Sequence, residues 1–309
     1  MRIRSIYLLA LAFIFTSTLG LTQAFVDRID PPHWWVGMPA DTVQIMVHGS
    51  RIAELQPIID YPGVELSRTA RRGVSENYQF LYLHVSPDAP AGTLSIEWLD
   101  ASTESKKTLG SIPFELKQRE RQSGSIRQGY SPADAICLIT PDRFANGDSS
   151  NDEVEGMLER ADRSNDQGRH GGDLAGIELH LGYLDSMGFT AVWLNPVLEN
   201  NQPQWSYHGY ATTDYYRVDP RFGTNAEYKE LAQAIRDRGM KLIMDMIMNH
   251  CGSEHPWMRD LPTSDWINNG AEFTPTTHRR TTLRDPYASQ SDVKGFSDGW
   301  FVKEMPDLN

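Results

Sequence analysis

An aspartate stands inside an apolar run at KLIMDMIMNH, residues 241 to 250. Leu242, Ile243, Met244, Met246, Ile247 and Met248 read as a buried strand, and Asp245 interrupts it. Burying a carboxylate is costly unless a partner meets it. Asp245 is therefore either a site residue or a structural aspartate paired with an arginine or with backbone amides. By the two-residue strand period it shares a side with Ile247 and Asn249, and His250 closes the stretch. A second cluster lies in FANGDSSND, where Asn146, Asp148, Asn151 and Asp152 bring oxygen-bearing side chains close together. Such donors suit a hard cation such as calcium, although the spacing is not that of an EF-hand. An Asn-Gly-Asp turn with solvated side chains accounts for the same residues. The Gly171-Gly172-Asp173 step opens a helix, so Asp173 is also a candidate N-cap. A third stretch, YHGYATTDYYRVDPRFGT from Tyr207 to Thr224, is dense in aromatic and polar groups. It offers flat faces for stacking a sugar ring and groups that bond hydroxyls, or else a packed loop with ordinary buried tyrosines. His250 and His255 do not have a recognised zinc spacing.

These residues need elements to position them. AICLIT at 135 to 140, FTAVWLNP and KLIMDMI read as strands. Between the first two, Leu174, Ile177, Leu181 and Leu184 share a helical face that Gly188 ends. Between the last two, Thr224 and Glu227 form a capping box for a helix carrying Tyr228, Leu231 and Ile235, stopped by Gly239. Strands alternating with helices imply parallel pairing. The polar residues gather at the C-terminal ends of all three strands, the edge on which α/β folds build their sites.

The preceding part is different. TVQIMVHG, YQFLYLHVS, GTLSIEWLD and LGSIPFELK are rich in β-branched and aromatic residues and are separated by turn formers, which predicts a small β-sandwich over residues 25 to 118. His33, Trp34 and Trp35 make either a sugar-stacking platform or one core and one edge tryptophan. Residues 119 to 132 have a linker's composition. Residues 1 to 24, with Arg2, Arg4, an apolar core from Ile6 to Phe15 and Thr22-Gln23-Ala24, read as a secretory signal, the alternative being an uncleaved anchor. The expected location is exported, periplasmic or secreted, with no stable membrane insertion after cleavage. A net charge of −12 over 309 residues repels phosphate backbones, so nucleic acid is not an expected partner, while a neutral sugar is not disfavoured. Cys137 and Cys251 make no disulfide framework and read as buried free thiols.

Taken in order, PDRFANGD, GGDLAGI, VWLNPVLEN, HGYATTDYY, VDPRFGT, DMIMNH and MPDLN resemble the alpha-amylase family of glycoside hydrolases, and within it the cyclomaltodextrinase and neopullulanase branch. The resemblance implies an N-terminal all-β sandwich (25–118) followed by an incomplete (β/α)8 barrel. Residues 133–250 would form its first three strands, and 251–309 an inserted small domain after the third. It implies hydrolysis of α-1,4-glucosidic bonds in cyclodextrins, pullulan or maltooligosaccharides. It places sugar binding on Tyr210 and His250, with Asp245 as an architectural support. It places calcium on Asn146, Asp148, Asn151, Asp152, Asp173 and the backbone of Gly171. Ala211 stands where relatives that remove terminal glucose often carry an aspartate, which favours an internal or ring-shaped glucan. The family's nucleophile and acid/base would lie beyond Asn309, so the chain as given is expected to be inactive, and no residue within it is assigned to catalysis. Two rivals stand beside this reading: a non-catalytic glucan-binding protein, and a calcium-dependent structural or adhesion module. Oligomeric state is not legible.

Overall fold

The computed structural model describes residues 26–70, 75–100, 107–119, 129–270 and 272–309. The expected signal (1–24) and most of the expected linker (120–128) lie outside the described residues. The first eight strands are β1 (Arg28–Asp30), β2 (His33–Val36), β3 (Thr42–His48), β4 (Gln56–Ile59), β5 (Val64–Ala70), β6 (Tyr78–Val85), β7 (Gly92–Leu99) and β8 (Thr108–Gln118). They form two four-stranded sheets, ordered β1-β3-β6-β5 and β2-β8-β7-β4. The four segments picked out as β-like are β3, β6, β7 and β8. Inward-facing side chains of both sheets, including Ile45, Leu81, Leu83, Ile96, Trp98 and Phe114, make one core. Each such side chain contributes roughly 1.5–3 kcal/mol when fully buried. The indole N–H of Trp98 is satisfied by Gln79 at 2.9 Å. Trp34 packs against this core while Trp35 does not, which is the core-and-edge arrangement of the tryptophan pair.

β6 breaks the alternation expected of a sandwich strand because both its faces are covered. Leu81, Leu83 and Val85 enter the sandwich core, while Tyr78 and Phe80 join Met46 against Trp257 and Trp266. Asp260 secures this contact. It accepts from His48 Nε2 (3.2 Å), Ser75 Oγ (3.0 Å) and Asn77 Nδ2 (2.9 Å), and its carbonyl accepts from Tyr78 Oη (2.9 Å).

The second part carries β9 (Ile136–Ile139), α1 (Pro141–Phe144), α2 (Leu174–Leu179), α3 (Leu181–Ser186), β10 (Ala191–Leu194), β11 (Leu198–Glu199), β12 (Asp214–Val218), α4 (Asn225–Asp237), β13 (Lys241–Met244) and α5 (Gln290–Ser297). β9, β10 and β13 are parallel, in the spatial order β13-β10-β9. The helical stretch expected after Asp173 breaks at His180 into α2 and α3, yet Leu174, Ile177, Leu181 and Leu184 are all buried on the sheet. Both bonds of the Thr224–Glu227 capping box form, and Gly239 follows α4 at φ +72°.

The expectation of a fully buried strand at 241–248 is not met. Leu242 and Ile243 are half-buried, and Met244, Met246 and Met248 are 37%, 44% and 76% exposed. Among the described residues β13 pairs on one edge only, with β10, and regular pairing stops at Met244, just before Asp245. One sheet face packs Cys137, Ile139, Val192, Leu194 and Leu242 against the helices. On the other face Ile136, Leu138 and Trp193 are 38%, 57% and 38% exposed. Cys251 is buried, with its thiol pushed up to about 12 by burial, and Cys137 is half-buried; both are free.

From His250 the chain passes through residues 251–306 and returns beside its own start, with Asp307 paired to His250 and Leu308 to Ile267. This part is built around Cys251, Ile267 and Trp300. His255 is buried beneath Trp257, with ring centroids 4.0 Å apart, and accepts the Trp257 N–H through Nδ1. Burial, assisted by Arg28, lowers its pKa from 6.5 to about 3. The unfolded chain therefore binds the extra proton first, and stability is full above pH 6.5 and falls as the pH drops towards 3. Urea midpoints between pH 7.5 and 5 should decline in the wild type and decline less in His255→Gln; identical pH slopes would rule this assignment out.

Candidate functional site

The site rests on a buried ion pair. Asp219 and Arg221, both about fully buried, follow β12 and meet at 2.8 Å. Asp219 also accepts the backbone N–H of Arg221 (3.0 Å) and of Asn200 (3.1 Å). Burial alone would raise its pKa; the bonds from Arg221 and the charges of Arg169 and Arg221 overcome that and lower it. Arg221 then spends its remaining donors on the carbonyls of Glu159 (2.9 Å) and Asn200 (2.8 Å), so one guanidinium ties three loops together. Beside it Arg169 lies over the Phe222 ring at 4.6 Å and donates to Ser206 Oγ at 3.3 Å.

Those loops hold the turn that presents Tyr210. The Glu159 carboxylate accepts the backbone N–H of Trp205 (3.1 Å) and of Ser206 (2.6 Å), ahead of a short 3-10 turn at Ser206–His208. Gly209 follows at φ +81°, where a Cβ would collide with the carbonyl of Pro196, so both the dihedral and the space demand glycine. The amide of Tyr210 donates to His208 Nδ1 (2.9 Å), and the Tyr210 carbonyl accepts from His250 Nε2 (2.9 Å). Tyr210 Oη donates to Asp245 Oδ2 at 3.2 Å. The three substrate-binding candidates are thus brought together, and the partner of Asp245 is a tyrosine rather than an arginine or backbone amides. Burial, then the neighbouring Asp245, raises the Tyr210 phenol. Burial lowers both His208 and His250, against the pull of the Tyr210 carbonyl and of Asp307 on the latter, which favours neutral imidazoles. Tyr210, His208 and His250 line a cavity of about 670 Å³, together with Trp205, Phe301 and Glu304 among others.

The oxygen-rich loop gathers only partly into the expected set. Asn146 Nδ2 donates to Asp152 Oδ1 at 2.6 Å. Gly171, at φ +82°, lies so close that a Cβ would strike Asp152 Oδ1 and stand 3.0 Å from Asn146 Nδ2. The Oδ1 of Asn151 is buried without a partner. Asp148, in contrast, turns its carboxylate to the N–H and hydroxyl of Ser150, at 2.9 and 2.6 Å. Asp173 is the N-cap of α2: it accepts from Gly176 N (2.6 Å), Gly147 N (3.0 Å) and Asp148 N (2.8 Å). Among the described residues no three His, Cys, Asp or Glu side chains are arranged to hold a metal ion.

Comparison with known proteins places the chain in a family. The family model described as "Alpha amylase, catalytic domain" matches residues 138–309, more than half of the chain. The chain belongs to the alpha-amylase family. A model of the cyclomaltodextrinase N-terminal domain matches residues 28–120. A beta/alpha-amylase of Paenibacillus polymyxa is 35% identical over 45% of this chain and 12% of its own length. A cyclomaltodextrinase of Thermoanaerobacter pseudethanolicus is 37% identical over 43% of this chain and 24% of its own. Neopullulanase 2 of Thermoactinomyces vulgaris is 38% identical over 41% and 21%. The aligned part therefore spans a quarter or less of each of these three relatives.

In this alpha-amylase family member, two residues that shape the cavity and its turn carried no signal that sequence reading could weigh. Glu159 is one acidic residue in a polar loop, and Trp205 follows a single proline flanked by glutamines; only the fold brings Trp205 to the cavity wall and the Glu159 carboxylate to its amide. Asp307 was visible only as part of MPDLN; it holds the Asn249 and Asn268 amides at 2.6 and 2.9 Å and so fixes the stretch next to His250. Replacing Asp219 with alanine strands Arg221 as a buried cation and leaves Arg169 only the more distant Asp142, at 3.8 Å. Breaking a buried pair in this way costs about 3–5 kcal/mol, and Asp219→Ala should show that loss in its urea unfolding midpoint. A loss below about 1 kcal/mol, the scale of a surface pair, would remove the pair from its central place.

Proposed function

We propose that this chain supplies the sugar-binding part of the cleft of an α-glucan hydrolase. Its substrates are α-1,4-linked glucans: cyclodextrins, pullulan or maltooligosaccharides. One observation carries the reading: Tyr210 and His250 line a single large cavity, with Asp245 bonded behind the tyrosine. The Tyr210 ring offers a stacking face. His250, kept neutral and donating Nε2–H to the Tyr210 carbonyl, has Nδ1 left as an acceptor for a sugar hydroxyl. Asp245 fixes the tilt of the tyrosine through Oδ2. Retaining hydrolysis needs a nucleophile and an acid/base about 5 Å apart. Among the described residues lining the cavity only Glu304 bears a carboxylate, so these residues bind and orient the chain rather than break its bond.

The finer architecture belongs to the same proposal. Residues 25–118 form the sandwich, 133–250 the first three strands of a (β/α)8 barrel, and 251–309 a small inserted domain. The in-order parallel strands support this, as does the uncovered apolar face of Leu138 and Trp193, which suits a barrel interior. Export is proposed from the basic start and short apolar stretch of residues 1–24. Among the described residues no helix is long and apolar enough to cross a membrane.

The purified chain should bind maltoheptaose, Tyr210→Ala should weaken binding at least about tenfold, and the chain itself should release no sugar from cyclodextrin, pullulan or soluble starch. Turnover that disappears in Asp245→Asn would overturn the assignment of binding alone. The protein isolated from its own cells should hydrolyse these glucans; if it does not, the hydrolase reading falls and glucan binding is what remains.

Calcium is the proposed ligand of the loop from Asn146 to Asp173. The orphaned buried Oδ1 of Asn151 and the glycine-only approach of Gly171 to Asp152 and Asn146 fit a hard cation held by amide, carboxylate and carbonyl oxygens. Asn146, Asn151, Asp152 and the Gly171 carbonyl would hold it, with Asp148 and Asp173 adding negative charge close by. The ion would supply cross-linking of this loop. Calorimetry should detect calcium binding that Asp152→Ala weakens strongly, and the melting temperature should fall on chelation in the wild type only. No heat of binding in the wild type would remove calcium from the account.

A further inference from the structure

Trp205 stands on the cavity wall, and no binding role yet explains it. Its backbone is left-handed, at φ +60° and ψ +18°. For a bulky non-glycine residue this is an outlier, held only where the surroundings over-determine it. Here they do so three times. Glu159 takes its N–H and that of the next residue, and Gln167 Oε1 takes the indole Nε1–H at 2.6 Å, which fixes the plane of the ring. The ring does not serve packing: it is 38% exposed and joins none of the four buried hydrophobic clusters. It lines the same cavity as Tyr210 and His250, and Phe301, 59% exposed, lines that cavity from the segment beyond His250.

We propose that Trp205 is a second stacking platform, taking a glucosyl ring of the same glucan at a distance from the ring on Tyr210, so that the site selects longer α-glucans over short ones. The inference rests on the glucan-binding reading above and deepens it. A rigid indole with its N–H already satisfied presents a flat apolar face at little ordering cost, which is how a pre-organised aromatic contributes affinity. At about 670 Å³ the cavity falls within the range of about 300–1,000 Å³ of small-molecule sites and leaves room beyond Tyr210.

The test measures affinities for maltose and maltoheptaose by calorimetry on the full chain. Trp205→Gly removes the ring and also relieves the left-handed backbone, so its fold is not at risk from strain. It should weaken maltoheptaose by about tenfold, or about 1.4 kcal/mol, and leave maltose within about twofold (well under that energy). Trp205→Tyr should recover most of the loss. If Trp205→Gly binds maltoheptaose as the wild type does while Tyr210→Ala does not, the second platform is wrong and the glucan-binding site stands. Equal losses for both sugars would make Trp205 a support of the turn and also overturn the proposal. A wild-type chain that binds neither sugar would overturn the glucan-binding reading together with this one.

Discussion

The buried pair of Asp219 and Arg221 is the constraint from which the cavity follows. Two opposite charges removed from water are tolerable only when nearly every donor and acceptor is used. Here the requirement is met by recruiting backbone groups from other loops. Arg221 reaches the carbonyls of Glu159 and Asn200, and Asp219 takes the amide of Asn200. The loops are therefore held by the need to satisfy a buried charge. Once Glu159 is placed, its carboxylate faces the amides of Trp205 and Ser206. Tyr210 follows within one short turn, and its hydroxyl arrives at Asp245.

The same logic explains why the contact between the two parts of the molecule is more than an apolar patch. Tyr78, Phe80 and Met46 cover Trp257 and Trp266. Apolar contact alone does not set a register. Asp260, bonded by three side chains from the sandwich, does. Desolvation would raise its pKa, and the bonds from Asn77, Ser75 and His48 bring it below the ordinary value. The sandwich therefore braces the segment beyond His250, the segment that contributes Phe301 and Glu304 to the cavity.

Sequence patterning reads well where a contact is local and poorly where it is not. The capping box at Thr224 and Glu227 and the stop at Gly239 involve residues within a turn of one another, so composition and spacing locate them. The strands follow from their apolar period. The KLIMDMI stretch is the instructive failure: its composition states that these residues suit burial, but burial needs neighbours, and β13 has a paired strand on one side only among the described residues. The Asn146–Asp173 cluster was read as one ligand set. Its members divide because Asp173 meets the three backbone N–H groups at the start of α2 and nearby, and Asp148 meets its own neighbour Ser150.

By itself the amino-acid sequence determined a β-rich first part, the alternation of β9, β10 and β13 with the helices that pack on them, the family to which the chain belongs, and the candidacy of Tyr210, His250 and Asp245. Each of these depends on residues close together in the chain or on motifs whose order is itself informative. Tertiary structure alone decided that Asp245 is bonded to a tyrosine, that β6 is covered on both faces, and that Glu159 clamps Trp205 into a left-handed turn beside the cavity. The groups in these contacts come from separate elements. Their energies depend on solvent exclusion and on distances that no spacing along the chain encodes.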